Sequence, residues 1–546
     1  MTLARYLFDQ LWQRGVRHIF GLPGDYALNL FDALQADGRF TVVRLSHEPS
    51  IGFAADGCAR GTGGLGVCCV TYGAGGLNMV NPVACAYAEE PPLVVISGGP
   101  GRAERRAGIH VHHEVKSFES QFNVYREVTT YSAILDDPRT AAAHILRALD
   151  AAAKITRPVY LEVPRDMVQA EIDASTEPAH VALRTDEAAA DEAVAEILSR
   201  LRHAERPVLI VGVEVHRFNL REPVIRLAEA MAVPVASSFL GRGVFPARHP
   251  QFAGTYLGVV SPAPLREIVE SSDCVLLLGE LISDTTLGVS ADRLSERNLI
   301  LCAGRDVFIG HHRYQDAPLE LVVTRLLASA DLPCRGAWTR PDEEAEPPVS
   351  RRDEEPVTIA GVIDAVNALV DEHPWVPIVA DTGDSLFATV EIRSNECVAP
   401  AYYATMGFAV PAALGFQIST GRRPLVLVGD GAFQMTGPEL AHAREYGCNP
   451  VVIVLNNGSW EMLQAFVPNA RYNTTAPWPF ATLGEAWGAR GFLAHTNGDL
   501  VRALREAWAG SGPALIEVRL ARGDISPVLA RFVAAFRQRL SIRLDP

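Results

Sequence analysis

The sequence has 546 residues, of which 48% are hydrophobic and 21% charged, and its formal net charge is −15. A chain of this length predicts three or four domains of about 150 residues each. The negative charge argues against nucleic acid or an anionic membrane as a partner, and the nine cysteines include no Cys-x-x-Cys pair that would indicate a zinc site. No apolar stretch is long enough to span a bilayer and the first residues lack a signal-peptide pattern, so we expect a cytoplasmic protein.

The strand and helix patterns divide the chain into three units. Residues 1–175 alternate helical patterns with short apolar strands, and residues 190–335 repeat this alternation. Residues 336–357 are acidic and proline-rich without any period, which is typical of an exposed linker. Residues 358–546 form a third alternating unit. We therefore predict an α/β fold with three doubly wound parallel-sheet domains.

The first unit holds four residues that could carry chemistry. Asp25 stands at a strand-to-helix junction and Glu48 precedes a proline, positions where such side chains most often serve turns and caps. The adjacent His112 and His113 are typical of a surface loop, yet histidine is the side chain best suited to move protons near neutral pH. The run Tyr72–Asn78 has the pattern G-x-G-x-x-N, which lacks the third glycine of a dinucleotide-binding loop.

The third unit contains a Gly-Asp-Gly turn around Asp430 and an asparagine pair that ends at Asn457, 27 residues later. Each follows an apolar run that predicts a buried strand, and a helical pattern lies between them. Because parallel strands of a βαβ unit end at the same edge of the sheet, Asp430 and Asn457 should lie close together. Their oxygens suit Mg²⁺, and the helix that begins at Gly431 and Ala432 offers free N–H groups to a diphosphate.

This combination of Gly-Asp-Gly and Asn-Asn resembles the diphosphate motif of the thiamine diphosphate enzymes. The resemblance implies that Asp430, Asn457 and the backbone oxygen of Ser459 bind Mg²⁺. It also implies that Glu48 exchanges a proton with the pyrimidine ring of the cofactor and so generates the reactive ylid. The further cofactor contacts that it implies are Asp384, Ser385, Met406, Gly431 and Ala432.

The histidine pair resembles one branch of this family, the 2-oxo acid decarboxylases. The resemblance implies that His112 and His113 form a proton relay with Asp25. Decarboxylases of this branch usually carry a catalytic glutamate six residues after the second asparagine, but Leu463 occupies that position here. Glu461 is two residues away, which is about 200° around a helix, so its side chain should face elsewhere.

We hypothesise that Asp284, which comes from the middle unit, supplies the missing carboxyl group. Taken alone, an aspartate after an apolar strand is typical of a helix cap. The leucine at position 463 indicates a larger and more apolar substrate pocket than a glutamate would allow. The residues predicted to line this pocket are Met462, Leu463, Phe466 and, from the C-terminal helix, Phe532.

The segment Asn456–Leu463 looks most like bacterial phenylpyruvate and indolepyruvate decarboxylases, and the resemblance extends over nearly the whole chain. It implies non-oxidative decarboxylation of phenylpyruvate or indole-3-pyruvate to the aldehyde and CO₂, with thiamine diphosphate and Mg²⁺ as cofactors. It also implies a homo-oligomer, a dimer whose subunits share active sites or a tetramer of such dimers. The alternatives are decarboxylation of pyruvate or branched-chain 2-oxo acids, carboligation, a non-catalytic binding protein, and an NAD or FAD protein.

Overall fold

The computed structural model of the protein describes residues 1–106, 110–173, 183–284, 294, 296–336, 338 and 352–544. Most of the predicted linker, residues 337 and 339–351, lies outside these ranges. The described chain forms three sheets, each dominated by parallel strands and packed against helices, so the predicted α/β fold class is confirmed. Among the described residues, no helix is both long enough and apolar enough to cross a membrane.

The first sheet consists of six parallel strands. They are β1 (His18–Gly21), β2 (Thr41–Val43), β3 (Gly66–Val70), β4 (Leu93–Gly99), β5 (Tyr131–Ile134) and β6 (Val159–Pro164), in the spatial order β2-β1-β3-β4-β6-β5. The accompanying helices are α1 (Leu3–Gln13), α2 (Leu28–Asp37), α3 (Glu48–Thr62), α4 (Ala74–Asn78), α5 (Val80–Glu89), α6 (Arg102–Arg106), α7 (Ser120–Arg126) and α8 (Ala141–Ile155). Strands β3 and β4 are buried throughout, as expected for central strands covered on both faces.

The middle sheet departs from the predicted all-parallel arrangement at one edge. Its strands are β7 (Pro207–Val211), β8 (Val235–Ser237), β9 (Phe252–Thr255), β10 (Cys274–Leu278), β11 (Leu299–Ala303), β12 (Asp306–Ile309) and β13 (His312–Tyr314), in the order β13-β12-β11-β10-β7-β8-β9. Strands β12 and β13 are antiparallel to their neighbours, because the short Gly304 and Gly310 turns leave no room for a crossover helix. The helices are α9 (Glu187–His203), α10 (Glu214–Arg217), α11 (Arg221–Met231), α12 (Ala263–Glu270) and α13 (Leu319–Ala328).

The third sheet again has six parallel strands. They are β14 (Ile378–Ala380), β15 (Cys397–Val398), β16 (Leu425–Gly429), β17 (Val451–Asn456), β18 (Arg490–Ala494) and β19 (Ala514–Arg519), in the order β15-β14-β16-β17-β19-β18. The helices are α14 (Ile359–Glu372), α15 (Asp384–Ala388), α16 (Ala409–Thr420), α17 (Asp430–Thr436), α18 (Glu461–Phe466), α19 (Phe480–Ala486), α20 (Asn497–Ala509) and α21 (Pro527–Leu544). Strands β16 and β17 are adjacent, so the turns that follow them meet at one edge of the sheet.

Helices α3 and α16 pack the first sheet's layer against the third. Glycines allow the two helix backbones to approach closely: a Cβ atom at Gly57 would lie 2.1 Å from the carbonyl oxygen of Ala412, and one at Gly415 would lie 1.8 Å from that of Ala54. Any larger residue at these positions would force the helices apart. The first and third domains of one chain therefore share a single apolar core.

A buried group of charges also joins the first and third domains. Arg60 is 4% exposed and binds the carboxylates of Asp56 and Glu89. The other oxygen of Glu89 accepts hydrogen bonds from the backbone N–H groups of Tyr402 and Tyr403, both at 2.8 Å. Because a buried charge needs partners on every side, this network fixes the backbone that leads to Met406.

Glu280, which follows β10, predicts a pH dependence of stability. Its side chain is 5% exposed, and burial raises the pKa of its carboxyl group to about 8. Since the unfolded side chain has a pKa of about 4.3, the buried neutral group stabilises the fold at low pH, and this contribution is lost as the pH rises through 8. The free energy of unfolding should fall between pH 5 and pH 9 in the unsubstituted protein. In the Glu280→Gln variant, this fall should be smaller by about 2–4 kcal/mol. Urea unfolding at both pH values measures this, with exposed Glu372→Gln as control, and equal losses in all three proteins would contradict it.

Candidate active site

A cavity of about 250 Å³ lies at the carboxyl ends of β14, β16 and β17. This is the edge at which open α/β sheets bind ligands. The turns after these three strands form most of its wall, and Ala404 and Met406 add a segment that runs beneath it. The lining residues are Ile359, Thr382, Gly383, Asp384, Ser385, Ala404, Met406, Gly429, Asp430, Gly431, Ala432, Leu455, Asn457, Ser459, Trp460, Glu461, Met462, Leu463, Leu520 and Asp524.

Asp430 is 2% exposed and stands at the first position of α17. One carboxylate oxygen accepts hydrogen bonds from the Gly458 N–H group at 2.8 Å and from the Thr475 hydroxyl group at 3.1 Å. Burial raises the pKa of this carboxyl group to about 6. The parallel pairing of β16 with β17 thus brings Asp430 beside the loop that carries Asn457, as the sequence pattern predicted.

Asn457 and Ser459 complete a set of oxygen donors in this loop. The side-chain oxygen of Asn457 accepts from the Ser459 N–H group at 3.1 Å. Gly458 between them has a positive φ of 70°, which glycine adopts without strain and which folds the loop tightly. The Asp430 carboxylate therefore lies beside a loop that carries an amide oxygen and a backbone carbonyl group, and such hard oxygen donors fit a divalent cation of the Mg²⁺ type.

Gly431 lies under the indole ring of Trp460. A Cβ atom at position 431 would lie 2.1 Å from Trp460 Nε1, so no larger residue fits there without moving the ring. Gly431 and Ala432 both line the cavity, and the Gly431 N–H group donates to the Asp430 carboxylate at 2.6 Å. Backbone N–H groups at the start of a helix are suited to an anion such as a diphosphate.

Asp384 lines the cavity, but its carboxylate is held by the C-terminal segment. Ser526 donates to it from its backbone N–H group, at 2.8 Å, and from its hydroxyl group. Burial raises the pKa of Asp384 to about 6. The hydroxyl group of Ser385 donates to the Asp381 carbonyl oxygen at 2.9 Å. Because an ionised carboxylate repels an anion, the backbone of this turn suits a diphosphate better than the Asp384 side chain does.

Asp381 is a supporting residue that the sequence analysis missed. It is fully buried, and its carboxylate accepts from the N–H groups of Gly407 at 3.1 Å and Ala409 at 2.8 Å. Burial raises its pKa to about 6. These bonds fix the segment that contains Met406, which is half-buried and lines the cavity. An aspartate directly after strand β14 was the available signal, but the strand end alone does not reveal its partners.

The residues after Ser459 point in different directions. Glu461 is 6% exposed, and its carboxylate accepts from the Ser459 hydroxyl group and from the Gly523 N–H group, the latter at 2.7 Å. Leu463 is 49% exposed and lines the cavity together with Met462. Leu463 therefore forms an apolar corner of the cavity, while Glu461 is engaged in holding the loop.

Phe466 and Phe532 do not line the cavity, contrary to the predicted pocket. Phe532 is 7% exposed and lies between Phe387, at 5.0 Å between ring centroids, and Phe466, at 6.3 Å. The packing of these rings against one another removes their apolar surface from water. They support the apolar corner from behind.

Asp25, His112 and His113 form a cluster on the first domain. His112 Nε2 lies within hydrogen-bond distance of the Asp25 carboxylate, and the two histidine rings are 4.9 Å apart. His113 Nδ1 is 3.0 Å from the Tyr72 carbonyl oxygen. Partial burial tends to raise the pKa of Asp25, but the hydrogen bond and charge of His112 hold it below its ordinary value. The carboxylate is thus kept ionised beside a histidine, an arrangement that can hold or move a proton.

Glu48 also belongs to the first domain and stands at the first position of α3. It is half-buried and accepts a hydrogen bond from the Asn78 amide group at 2.9 Å. Within the described chain, neither Glu48 nor any member of the histidine cluster lines the cavity of the third domain. The candidate residues therefore form two separate sets.

Asp284 follows β10 and is exposed. It does not line the cavity of its own chain. Leu281, three residues earlier, packs against the apolar cluster that contains Phe532 and that also contacts Met462. The segment that carries Asp284 thus lies against the same core as the apolar corner.

Three family models that describe thiamine pyrophosphate enzymes match the chain. The N-terminal thiamine pyrophosphate binding domain matches residues 1–123, the central domain residues 194–328, and the C-terminal thiamine pyrophosphate binding domain residues 381–518. The chain belongs to the thiamine pyrophosphate enzymes. Thiamine pyrophosphate, or thiamine diphosphate, is therefore the cofactor of both matched binding domains.

Curated relatives of this thiamine pyrophosphate enzyme match it nearly from end to end. It is 44% identical over 539 residues to an indole-3-pyruvate decarboxylase from Azospirillum brasilense, and the match covers 98% of each protein. It is 30% identical over 566 residues to a pyruvate decarboxylase from Neurospora crassa, covering 98% of this chain and 97% of that protein. It is 28% identical over 571 residues to pyruvate decarboxylase 1 from Pisum sativum, covering 98% and 94%.

Each set of candidate residues falls within one binding domain of this thiamine pyrophosphate enzyme. Asp25, Glu48 and the histidines belong to the N-terminal binding domain, and the Asp430 cavity belongs to the C-terminal one. One cofactor has two ends that need different chemistry: an anionic diphosphate and a basic aminopyrimidine. The oxygen-donor loop and N–H groups of the cavity suit the first, and a carboxyl group such as Glu48 suits the second.

Proposed function

We propose that this enzyme decarboxylates an aromatic 2-oxo acid, phenylpyruvate or indole-3-pyruvate, to the aldehyde and CO₂ in the cytoplasm, with thiamine diphosphate and Mg²⁺ as cofactors. The observation that carries the proposal is the apolar corner formed by Met462 and Leu463 directly after the oxygen-donor loop. An exposed leucine at this point offers apolar surface to an aromatic ring, and burying the ring there favours binding.

The residues of the third domain are proposed to hold the cofactor. Asp430, Asn457 and the Ser459 carbonyl oxygen would bind Mg²⁺, and the backbone of Gly431 and Ala432, at the start of α17, would contact the diphosphate. Bound thiamine diphosphate supplies the electron sink for decarboxylation. Met406, from the segment fixed by Asp381, would contact the cofactor from the cavity wall.

The apolar corner would also assist the chemical step. With a substrate ring packed against them, Met462 and Leu463 would limit the access of water to the space beside the cofactor. The negative charge of the substrate carboxylate is dispersed as CO₂ leaves. Less polar surroundings therefore favour the transition state for decarboxylation over the bound carboxylate. The same surroundings limit competing reactions with water.

Proton transfer is assigned to the first domain together with Asp284. Asp25, His112 and His113 are proposed to relay the proton that the product aldehyde requires, and Asp284 is a second candidate donor. Asp25 orients His112 through the hydrogen bond between them, and histidine is the side chain best suited to move protons near neutral pH. Glu48 is proposed to exchange a proton with the pyrimidine ring of the cofactor.

We further propose that a homodimer completes the site and that two dimers form a tetramer. Exposed apolar side chains lie close in sequence to both sets of candidate residues. Leu28, which is 50% exposed, follows Asp25, and Val115, which is 65% exposed, follows the histidines. Val467, which is 51% exposed, follows Leu463. Such surfaces are typical of protein–protein contacts. Pairing would bring Glu48 of one subunit to the cavity of another.

Asp284 is proposed to supply the carboxyl group that Leu463 cannot. We expect Asp284→Asn to lower kcat for phenylpyruvate about 100-fold with a smaller change in KM, because it removes a proton donor and keeps the size of the side chain. Steady-state kinetics measures this, and exposed Asp331→Asn is the control within the same domain. An unchanged kcat for Asp284→Asn would rule out the role.

CO₂ release by the purified protein tests the proposed function. The protein with thiamine diphosphate and Mg²⁺ is given phenylpyruvate, indole-3-pyruvate, pyruvate and a branched-chain 2-oxo acid in parallel. We expect kcat/KM for the aromatic acids to exceed that for pyruvate by at least about tenfold. A preference for pyruvate or the branched-chain acid would overturn the substrate assignment, and C–C bond formation without aldehyde release would indicate a carboligase.

A further inference from the structure

Glu461 is a buried carboxylate beside the oxygen-donor loop with no assigned part in the reaction. We infer that Glu461 is a positioning residue for the divalent cation, which orients the Ser459 carbonyl group and links the cation loop to the C-terminal segment. This inference rests on the proposed cation site and goes beyond it, because it assigns the carboxylate that shapes that site.

The first observation is how the Ser459 peptide group is held. The hydroxyl group of Ser459 donates to one Glu461 oxygen, and its N–H group donates to the Asn457 side chain at 3.1 Å. The carbonyl group of Ser459 shares a peptide plane with the Trp460 N–H group, which donates to the Asn473 carbonyl oxygen at 2.8 Å. Bonds on both sides therefore fix the direction of the carbonyl oxygen, and the bond from Ser459 to Glu461 is one of them.

The second observation concerns the other Glu461 oxygen, which accepts from the Gly523 N–H group at 2.7 Å. The same short segment holds two more parts of the site. Ser526 binds the Asp384 carboxylate, and Asp524 accepts from the Ile359 N–H group at 2.9 Å. Glu461 therefore connects the loop of the cation ligands to the segment that supports the diphosphate turn.

A direct catalytic role for Glu461 fits the geometry poorly. Both of its oxygens are engaged by neighbouring donors, and its side chain is 6% exposed. A catalytic acid must instead reach the reacting atoms. A carboxylate that accepts a hydrogen bond from a ligand residue matches the outer groups that orient the ligands of a cation. Loss of such an outer group typically lowers metal affinity by about 10- to 100-fold.

The test measures cation-dependent binding of thiamine diphosphate, without substrate. Isothermal titration at a series of MgCl₂ concentrations gives the concentration that half-saturates cofactor binding. We expect Glu461→Ala to raise this concentration about 10- to 100-fold and Glu461→Gln to raise it by less, because glutamine keeps an acceptor for the Gly523 N–H group. Gln464→Ala, on the same helix, should match the unsubstituted protein.

A double-mutant cycle links the effect to Ser459. Ser459→Ala keeps the carbonyl group and loses the hydroxyl group, so it should raise the half-saturating Mg²⁺ concentration, but by less than Glu461→Ala, which also loses the bond from the Gly523 N–H group. The double variant should show little shift beyond that of Glu461→Ala, since the hydrogen bond between Ser459 and Glu461 is already lost there. At saturating Mg²⁺ and cofactor, kcat of Glu461→Gln should return to within about threefold of the unsubstituted value, which a catalytic acid would not allow.

The outcomes separate this inference from the proposed function. A half-saturating Mg²⁺ concentration within about twofold of the unsubstituted value for Glu461→Ala would overturn the inference. Additive shifts in the double variant would do the same. If the unsubstituted protein bound no thiamine diphosphate with Mg²⁺, the proposed cofactor site itself would be wrong.

Discussion

Glu48→Gln is expected to lower kcat about 1,000-fold, within the range of a lost general acid–base group. Glutamine has nearly the same size and can keep the hydrogen bond with Asn78, but it cannot exchange a proton with the pyrimidine ring of the cofactor. The fold and the cation loop are untouched, so the affinity for thiamine diphosphate should change by less than about tenfold. Steady-state kinetics and cofactor titration give the two numbers separately.

The control for this prediction is Glu119→Gln, which changes an exposed glutamate in the same domain. It should leave both numbers unchanged. If Glu48→Gln retained a tenth or more of kcat, another group would have to serve the pyrimidine ring. A large loss of cofactor affinity with kcat preserved would indicate that Glu48 binds the cofactor without exchanging a proton.

Asp430→Asn is expected to weaken Mg²⁺-dependent cofactor binding by on the order of 100-fold, because it removes the only charged ligand of the proposed cation site and leaves a weaker neutral oxygen. Activity at ordinary cofactor concentrations should be lost with it. Titration with thiamine diphosphate at fixed Mg²⁺ measures the effect. Unchanged binding would place the cation elsewhere.

The stability of the same variant provides an internal control. Burial raises the pKa of Asp430 to about 6, so without a cation the ionised carboxylate opposes folding above that pH. Below the unfolded pKa the neutral group imposes no such penalty. Asp430→Asn should therefore be at least as stable as the unsubstituted protein at pH 8 without cofactor, and a loss of binding cannot be attributed to unfolding.

The sequence predicted those parts of the site that depend on topology. Apolar runs before Asp430 and Asn457 indicated two parallel strands, and parallel strands that pair must end at one edge. The contact between the Gly458 N–H group and Asp430 follows from that arrangement. The spacing from Leu463 to Glu461 likewise predicted different directions for their side chains, and one is exposed while the other is buried.

The unpredicted parts depend on contacts between distant segments. Nothing local to Asp381 indicates that it binds the N–H groups of Gly407 and Ala409. The bond from Ser526 to Asp384 joins residues 142 positions apart. The aromatic packing that turns Phe532 away from the cavity also depends on tertiary structure, because helical spacing gives the buried face of a helix but not its partner.

Mixing two inactive variants tests the central claim most directly: that Glu48 of one subunit and Asp430 of another serve the same cofactor. Glu48→Gln and Asp430→Asn subunits are unfolded together, refolded and assayed for CO₂ release with saturating thiamine diphosphate and Mg²⁺. Random pairing makes half of the dimers mixed, and one of the two sites in each mixed dimer keeps both residues. We predict recovery of about a quarter of the unsubstituted activity. Recovery of none, while each variant alone is inactive and the mixed dimers form, would contradict the shared site.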